Sequence, residues 1–164
     1  MKSLLFVIAA LIMIPSFAQE RKSPHEAVTN GVVTVAYGRP YKKDREIFGK
    51  LEPYNKVYRV GADEATTISF TKKTKFGGQD VEPGIYTLFA VPTEQEWTII
   101  LNGALGQWGA YSYEKNKAKD VTSFKVPVTK LGSPIEQLTI RFADGSLVIE
   151  WDTTQVKIPF TTPK

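Results

Sequence analysis

Cysteine is absent from this 164-residue chain. That excludes disulfides, thiolate nucleophiles, iron–sulfur clusters and structural zinc held by thiolates, so packing alone must hold the fold. Histidine occurs once, as His25. A Ser-His-Asp triad would have to route through that one residue, and no G-x-S-x-G elbow accompanies it. After the first apolar segment, no run approaches the roughly 18–20 residues that a spanning helix needs. No long stretch has helical periodicity, and neither repeats nor low-complexity segments are present. Charge of one sign is not concentrated either: 21 Lys and Arg are interspersed with 17 Asp and Glu, for a net charge of +4. The densest basic cluster, Lys72, Lys73 and Lys75, flanks Gly77-Gly78 and reads as a solvated hairpin tip. Nucleic-acid binders present a one-sided basic face, so no nucleic-acid partner is expected.

What is there begins with a leader. Lys2 precedes an apolar run over residues 4–14, and Pro15-Ser16-Phe17-Ala18 supplies a small-x-small cleavage site. This pattern predicts a signal peptide over residues 1–18, cut after Ala18 to leave Gln19 at the new N-terminus. No cysteine follows it that could carry a lipid anchor, so a periplasmic or secreted protein without a stable membrane anchor is expected. Residues 19–164 are of a length that suits one domain with its own core.

The remaining chain is written in strands. Residues 19–26 are polar and read as a loose lead-in. Val33, Val35 and Tyr37 alternate with Thr34 and Ala36, ending at Arg39-Pro40. Residues 57–60 read as a short strand, and Thr66, Ile68 and Phe70 line one face of the next. Gly77-Gly78 and Asp144-Gly145 are hairpin signals, and Pro83-Gly84 suits a type II turn. Residues 85–91 and 97–101 are apolar runs of buried-strand length. Residues 121–128 alternate, with Pro127 arguing for an edge. Leu138, Ile140 and Phe142 face one way, and Leu147, Ile149 and Trp151 answer them. Val156, Ile158 and Phe160 close the chain. Nine or ten short strands without a long helix predict an all-β antiparallel sandwich, with a β-barrel as the alternative.

Two irregular stretches interrupt this pattern, residues 41–55 and 102–112, and long ordered loops on β scaffolds are where function usually sits. Three arginines lie in or beside the first: Arg39, Arg45 and Arg59. The planar guanidinium fork suits carboxylate, phosphate or sugar recognition, and the three are expected to converge on one pocket with Tyr37. Tyr58 and Arg59 are neighbours on an extended segment, so one faces inward. An inward arginine needs a partner, and Asp63 and Glu64 across the Gly61 bend are the nearest. Those two carboxylates diverge if the chain is extended. An acid/base pair would therefore draw a second carboxylate from Asp44, Glu46 or Glu52. No EF-hand spacing is present among the acids, and neither metal nor cofactor is expected. His25 either packs where the lead-in joins the domain or serves the site. Trp97 and Trp151 read as core, whereas Trp108, near Tyr111 and Tyr113, could stack on a sugar or cap the core.

Ser23-Pro24-His25, Tyr37-Gly38-Arg39-Pro40, Arg45-Glu46-Ile47-Phe48-Gly49, Pro53-Tyr54, the run from Tyr58-Arg59-Val60-Gly61 through Ala62-Asp63-Glu64-Ala65-Thr66, and Pro83-Gly84-Ile85-Tyr86 together resemble the DUF2911 family. These are exported proteins of uncharacterised function, mostly of Bacteroidota. The likeness runs through nearly the whole chain after the leader. It departs at Tyr58, where the family often has Trp, and at Asp63, where it often has Asn. The resemblance implies export and a single domain, and it carries no activity. The residues themselves lead to one expectation and two alternatives. The expectation is binding of a small anionic or glycan ligand through Tyr37, Arg39, Arg45, Arg59, Asp63, Glu64, His25 and Trp108. The alternatives are a carboxylate-based hydrolase of envelope or dietary glycan, with Glu64 and Asp44 or Glu46, and a structural or interaction module with internally paired arginines.

Overall fold

The computed structural model describes residues 20–162; the expected leader and its cleavage point lie outside them. The fold is all-β and antiparallel. Nine strands form one continuous, open sheet: β1 (His25–Thr29), β2 (Val33–Gly38), β3 (Thr67–Phe70), β4 (Thr74–Phe76), β5 (Gln79–Val81), β6 (Gly84–Pro92), β7 (Glu96–Asn102), β8 (Asp120–Ala143) and β9 (Ser146–Thr161). Their spatial order is β1-β2-β3-β6-β7-β8-β9-β4-β5, so the sheet does not close into a barrel. Among the described residues the only helical pieces are α1 (Tyr113–Asn116) and a 3₁₀ turn, Lys117–Lys119. No helix there is long and apolar enough to cross a membrane.

The sheet folds over on itself through β8. Its first part pairs with β7 as far as Glu96↔Pro127, and from Val128 onward it pairs with β9. Pro127 has no N–H to give to a ladder, and it sits where pairing passes from one neighbour to the other. The strands expected over residues 121–128 and around 138–142 are therefore one 24-residue strand, not two. Likewise residues 147–151 and 156–160 belong to one 16-residue strand. Asp152 adopts a positive φ of 52° within it, and the inward residues change from Leu147, Ile149 and Trp151 to Val156 and Ile158. A local kink moves the chain by one residue, and a one-residue slip exchanges the two faces of a strand.

The turns follow their chemistry. Gly77 and Gly78, and Asp144 and Gly145, all have positive φ, as a two-residue type I′ hairpin requires. The type II turn expected at Pro83-Gly84 does not form. Gly84 has φ 159° and pairs with Phe70, which keeps it extended as the first residue of β6.

The core lies between the two halves of the folded sheet. Phe76 of β4 meets Phe70 of β3 at 5.4 Å and Phe124 of β8 at 5.6 Å, ring centre to ring centre. Tyr37 of β2 spans to the far half of β8, where its hydroxyl accepts the Ile140 N–H at 2.9 Å. Trp97 and Trp151 are each 1% exposed. A second, smaller cluster of Ala65, Phe89, Ile100 and Tyr113 occupies the outer face of β6 and β7. It explains the unbroken apolar runs there: residues of both faces are covered, one by the core and the other by the segment carrying α1.

Candidate functional site

The site begins with backbone that most residues avoid. Among the described residues seven non-glycines have positive φ, and five of them, Lys43, Asp44, Asn55, Val60 and Asp63, lie between positions 43 and 63. Val60, at φ 54°, is the least expected, because a β-branched residue is a true outlier in that region. The short strand expected over residues 57–60 reduces to a single bridge, Tyr58↔Ala90; the turn at Val60 ends it. The Thr66 hydroxyl donates to the Val60 carbonyl at 2.8 Å, and the Thr66 N–H donates to the Arg59 carbonyl at 3.1 Å. Gly38 lets the bend pack against β2: a Cβ there would stand 2.4 Å from the Ala62 carbonyl oxygen. Such strain persists only where surrounding contacts over-determine it, and it clusters at functional sites.

The bend sets the direction of its side chains. Tyr58 and Val60 point into the core, leaving Arg59 on the outer side. The Tyr58 ring packs edge-on against Phe48 at 6.0 Å and Trp97 at 6.2 Å. Its hydroxyl is buried without a hydrogen-bond partner among the described residues, and burial pushes its pKa well above the ordinary value, with the Glu52 charge adding to the rise. The neighbouring loop is compact. The Glu52 N–H donates to the Ile47 carbonyl at 2.9 Å, and the Gly49 N–H to the Glu52 carbonyl at 2.9 Å. Phe48 pins it to the core, 4.9 Å from the Trp97 ring.

The three arginines do not converge as a set. Arg39 is drawn toward β1 and β8. Its Nε lies 3.1 Å from Glu26 Oε2 and donates to the Leu138 carbonyl at 3.1 Å, and Nη2 donates to Thr139 Oγ1 at 3.1 Å. Tyr37 belongs to the same cross-link, its hydroxyl donating to Glu26 Oε2 at 2.9 Å. Burial pushes its pKa up to about 12, with the Ile140 N–H and Arg39 opposing and Glu26 adding to the rise. The Pro40 and Lys42 backbone pairs with Leu138 and Glu136 of β8, which turns Arg39 away from the other two.

Arg45 and Arg59 do meet, at a cleft of about 320 Å³ that is also lined by Lys22, Lys43, Glu52 and Asp63. Both bond to backbone carbonyls. Arg45 Nε donates to the Lys42 carbonyl at 2.8 Å and Nη2 to the Tyr41 carbonyl at 2.5 Å. Arg59 Nε donates to the Gly61 carbonyl at 3.1 Å, with Nη1 3.5 Å from the Asp63 carbonyl. Each guanidinium has five N–H donors, so these contacts leave donors for a further partner. Glu52 stands with them. Burial pushes its pKa up to about 7, while Arg59 and then Arg45 pull the other way.

His25, Asp63 and Glu64 form a clasp for the lead-in, which is not loose. Asp63 Oδ2 accepts the N–H groups of Lys22 and Ser23, each at 3.1 Å, and lies 3.4 Å from His25 Nε2. Burial alone would raise the Asp63 pKa; the two backbone donors and His25 outweigh it and leave it below the ordinary carboxylate value. Glu64 receives Arg21 Nη2 at 2.7 Å and sits 3.5 Å from His25; the Arg21 hydrogen bond outweighs burial and lowers its pKa. Glu64 and His25 line a separate cleft of about 250 Å³ against β2. Glu64 therefore shares neither cleft with Asp44 or Glu46. Among the described residues no three or more of His, Asp and Glu are placed to hold a metal ion.

The second irregular stretch completes the surroundings. Asn102, fully buried, is its hub. Its side chain donates to the Asn116 carbonyl at 2.9 Å and Asp120 Oδ1 at 2.7 Å, and accepts the Ala104 N–H at 2.9 Å. Tyr113 docks on Phe89 at 5.2 Å and donates to Asp120 Oδ2 at 2.7 Å, so burial and then Asp120 raise its pKa. Trp108 makes a backbone bridge to Glu64 and lines none of the clefts described here. Tyr111, in contrast, is 84% exposed and stands at a larger cleft of about 560 Å³, bounded by Leu51, Glu52, Lys56, Val57, Arg59, Ala110, Tyr113 and Glu114. Gly109, at φ 62°, allows this approach: a Cβ there would lie 3.0 Å from Arg59 Nη1 and 2.9 Å from the Tyr111 ring.

Of the residues expected at one site, Arg45, Arg59 and Asp63 share a cleft. Tyr37 and Arg39 hold the two halves of the sheet together, His25 and Glu64 hold the lead-in, and Tyr37, His25 and Glu64 share the separate cleft against β2. The central place of Glu52 is new: sequence offers it only as one of three spare carboxylates. Lys22, Lys43 and Leu51 join that cleft, and Tyr111 the larger one, without a motif to mark them; the one available signal is their position in the lead-in or in an irregular stretch. No curated protein and no solved structure matches the chain. The family described as a protein of unknown function, DUF2911, matches residues 20–160, so this chain belongs to the DUF2911 family.

Proposed function

We propose that this protein is an exported, periplasmic or secreted domain that binds a small anionic molecule or glycan at the Arg45–Arg59 cleft. The observation that carries the reading is the contrast in arginine partners. Arg39 is matched by a carboxylate, whereas Arg45 and Arg59 bond only backbone carbonyls among the described residues and line one concavity. Carbonyl partners orient a guanidinium without cancelling its charge, which preorganises it for an incoming anion. The strained backbone around Val60 and Asp63 is consistent with a site that fold stability alone does not explain.

A thermal-shift screen over carboxylates, phosphates and acidic and neutral oligosaccharides tests this. Wild-type protein should be stabilised by at least one class, and Arg59→Ala and Arg45→Ala should lose the response while Arg39→Ala keeps it. A response unchanged in both cleft variants would sink the reading.

Hydrolysis of glycan is the second reading. Glu52 and Glu114 line the larger cleft together, and a carboxyl held near pH 7 by burial suits a general acid. Reducing-sugar release by wild-type protein that disappears in Glu52→Gln would favour it; intact glycans after prolonged incubation with the wild type would end it.

A further inference from the structure

Two clefts, not one, meet at Glu52. The smaller cationic cleft and the larger one share Leu51, Glu52 and Arg59, so they are adjoining compartments on either side of one Glu–Arg ridge. Their characters differ. The smaller is lined by four basic residues, Lys22, Lys43, Arg45 and Arg59, against Glu52 and Asp63. Of those two carboxyls, Asp63 stays ionised with Oδ2 turned to the N–H groups of Lys22 and Ser23, and burial favours the neutral form of Glu52, so the four cations outnumber the anions. The compartment therefore has uncompensated positive charge. Beyond the shared ridge of Leu51, Glu52 and Arg59, the larger adds one base, Lys56, and one acid, Glu114, and the rest of its wall is apolar and aromatic, from Val57 and Ala110 to Tyr113 and Tyr111. Tyr111 is 84% exposed, the most exposed large hydrophobic residue among those described. A tyrosine ring presents an apolar face and a polar tip, the combination that meets the C–H face and hydroxyls of a pyranose.

We infer that the two compartments are successive subsites for one acidic oligosaccharide, with a sugar carboxylate over Arg45 and Arg59 and a neighbouring sugar ring against Tyr111. The inference rests on the binding reading above and names its ligand class. A lone small anion would use only the cationic compartment and leave the aromatic one idle. A neutral oligosaccharide would leave the arginines without a counter-charge. Only a ligand with a charged residue linked to a further ring uses both sides of the ridge. Glu52, at the junction, then faces the linkage between the two sugars.

The probes are galacturonate, trigalacturonate and neutral cellotriose, titrated calorimetrically into wild type, Tyr111→Ala, Lys43→Ala and Arg45→Lys. Trigalacturonate is expected to bind at least tenfold more tightly than galacturonate, and cellotriose at least tenfold more weakly than trigalacturonate. Tyr111→Ala should bring the trimer down to the affinity of the monomer and leave the monomer unchanged. Lys43→Ala, which removes charge without touching the loop's hydrogen bonds, and Arg45→Lys, which keeps charge but loses the fork, should each weaken both acids several-fold. Trimer and monomer binding equally, or a Tyr111→Ala trimer affinity equal to wild type, overturns the two-subsite inference and leaves simple anion binding standing. Cellotriose binding as well as trigalacturonate overturns the acidic assignment. Failure of every probe overturns the inference and leaves the broader anion reading to the thermal-shift screen; acid binding indifferent to both cationic variants overturns the inference together with the reading beneath it.

Discussion

Arg39 and Arg59 are the same residue type, twenty positions apart, at the two ends of one irregular stretch, and the fold uses them oppositely. Arg39 is held by Glu26, the Leu138 carbonyl and Thr139, and joins β1 and β2 to β8. Arg59 is held by two carbonyls of its own bend and faces a cleft beside Glu52. A carboxylate partner turns an arginine into a cross-link. Carbonyl partners leave its charge available while fixing its direction.

The largest expected effect joins the two regions. Phe48 anchors the cleft loop on Trp97, Tyr58 and Trp151. Phe48→Ala should cost about 3–5 kcal/mol, as deletion of a buried aromatic does. Denaturant unfolding should show that loss, and any ligand response should vanish with it. A loss under about 1 kcal/mol would mean that the loop holds itself without the core.

Glu52→Gln should come next. The folded-state pKa of Glu52 is about 7, against an ordinary 4.5. Between those values the unfolded chain releases the proton while the folded protein retains it, so stability falls as pH rises through that window and levels off above it. At about 1.4 kcal/mol per pKa unit, the loss is at most about 3.5 kcal/mol. Glu52→Gln should remove this part of the pH dependence and be more stable than wild type above pH 7. It should also strengthen anion binding there, because ionised Glu52 opposes the charge of an incoming anion beside Arg59 and Arg45. Parallel stability curves from pH 4 to 8 would contradict the assignment.

The arginines themselves give a smaller and more diagnostic pair. Arg39→Ala should cost roughly 1.5–3 kcal/mol, the range for hydrogen bonds to charged groups, and leave ligand affinity unchanged. Arg59→Ala should cost about 1 kcal/mol and abolish binding. Equal stability losses, or equal binding losses, would break the contrast between cross-link and site.

Gly109→Ala is the finest probe. The left-handed conformation should cost about 1–2 kcal/mol in a residue with a Cβ. The added methyl would also press on Arg59 and Tyr111 together. Gly106→Ala is its control: Gly106 has φ 68°, and a Cβ there would meet nothing within 4 Å, so it should show the strain without the loss of binding. Binding lost equally in both would assign the effect to the loop backbone and not to the cleft.

Much of this was legible from local pattern. Alternation at Val33, Val35 and Tyr37, the Asp144-Gly145 hairpin, and the two tryptophans of the core all follow from neighbours a few residues away, because side-chain alternation and turn geometry are short-range properties. The expected strand breaks in β8 and β9 failed for the same reason. A change of inward parity at Asp152 looks like a new strand when only period is read, whereas a kink within one strand produces the same pattern.

The amino-acid order determined the all-β class, most strand positions and the two irregular stretches, with strained backbone gathering in and just after the first. It also restricted the chemistry by omitting cysteine and providing a single histidine. Tertiary structure alone decided which charges are matched and which stay open. Arg39 finds its acceptors 99 and 100 residues away, Asp63 is claimed by backbone about forty residues earlier, and Glu52 acquires its raised pKa from burial. Charge compensation and desolvation depend on distance in space, and an antiparallel sheet folded back through β8 brings together residues that the chain keeps far apart.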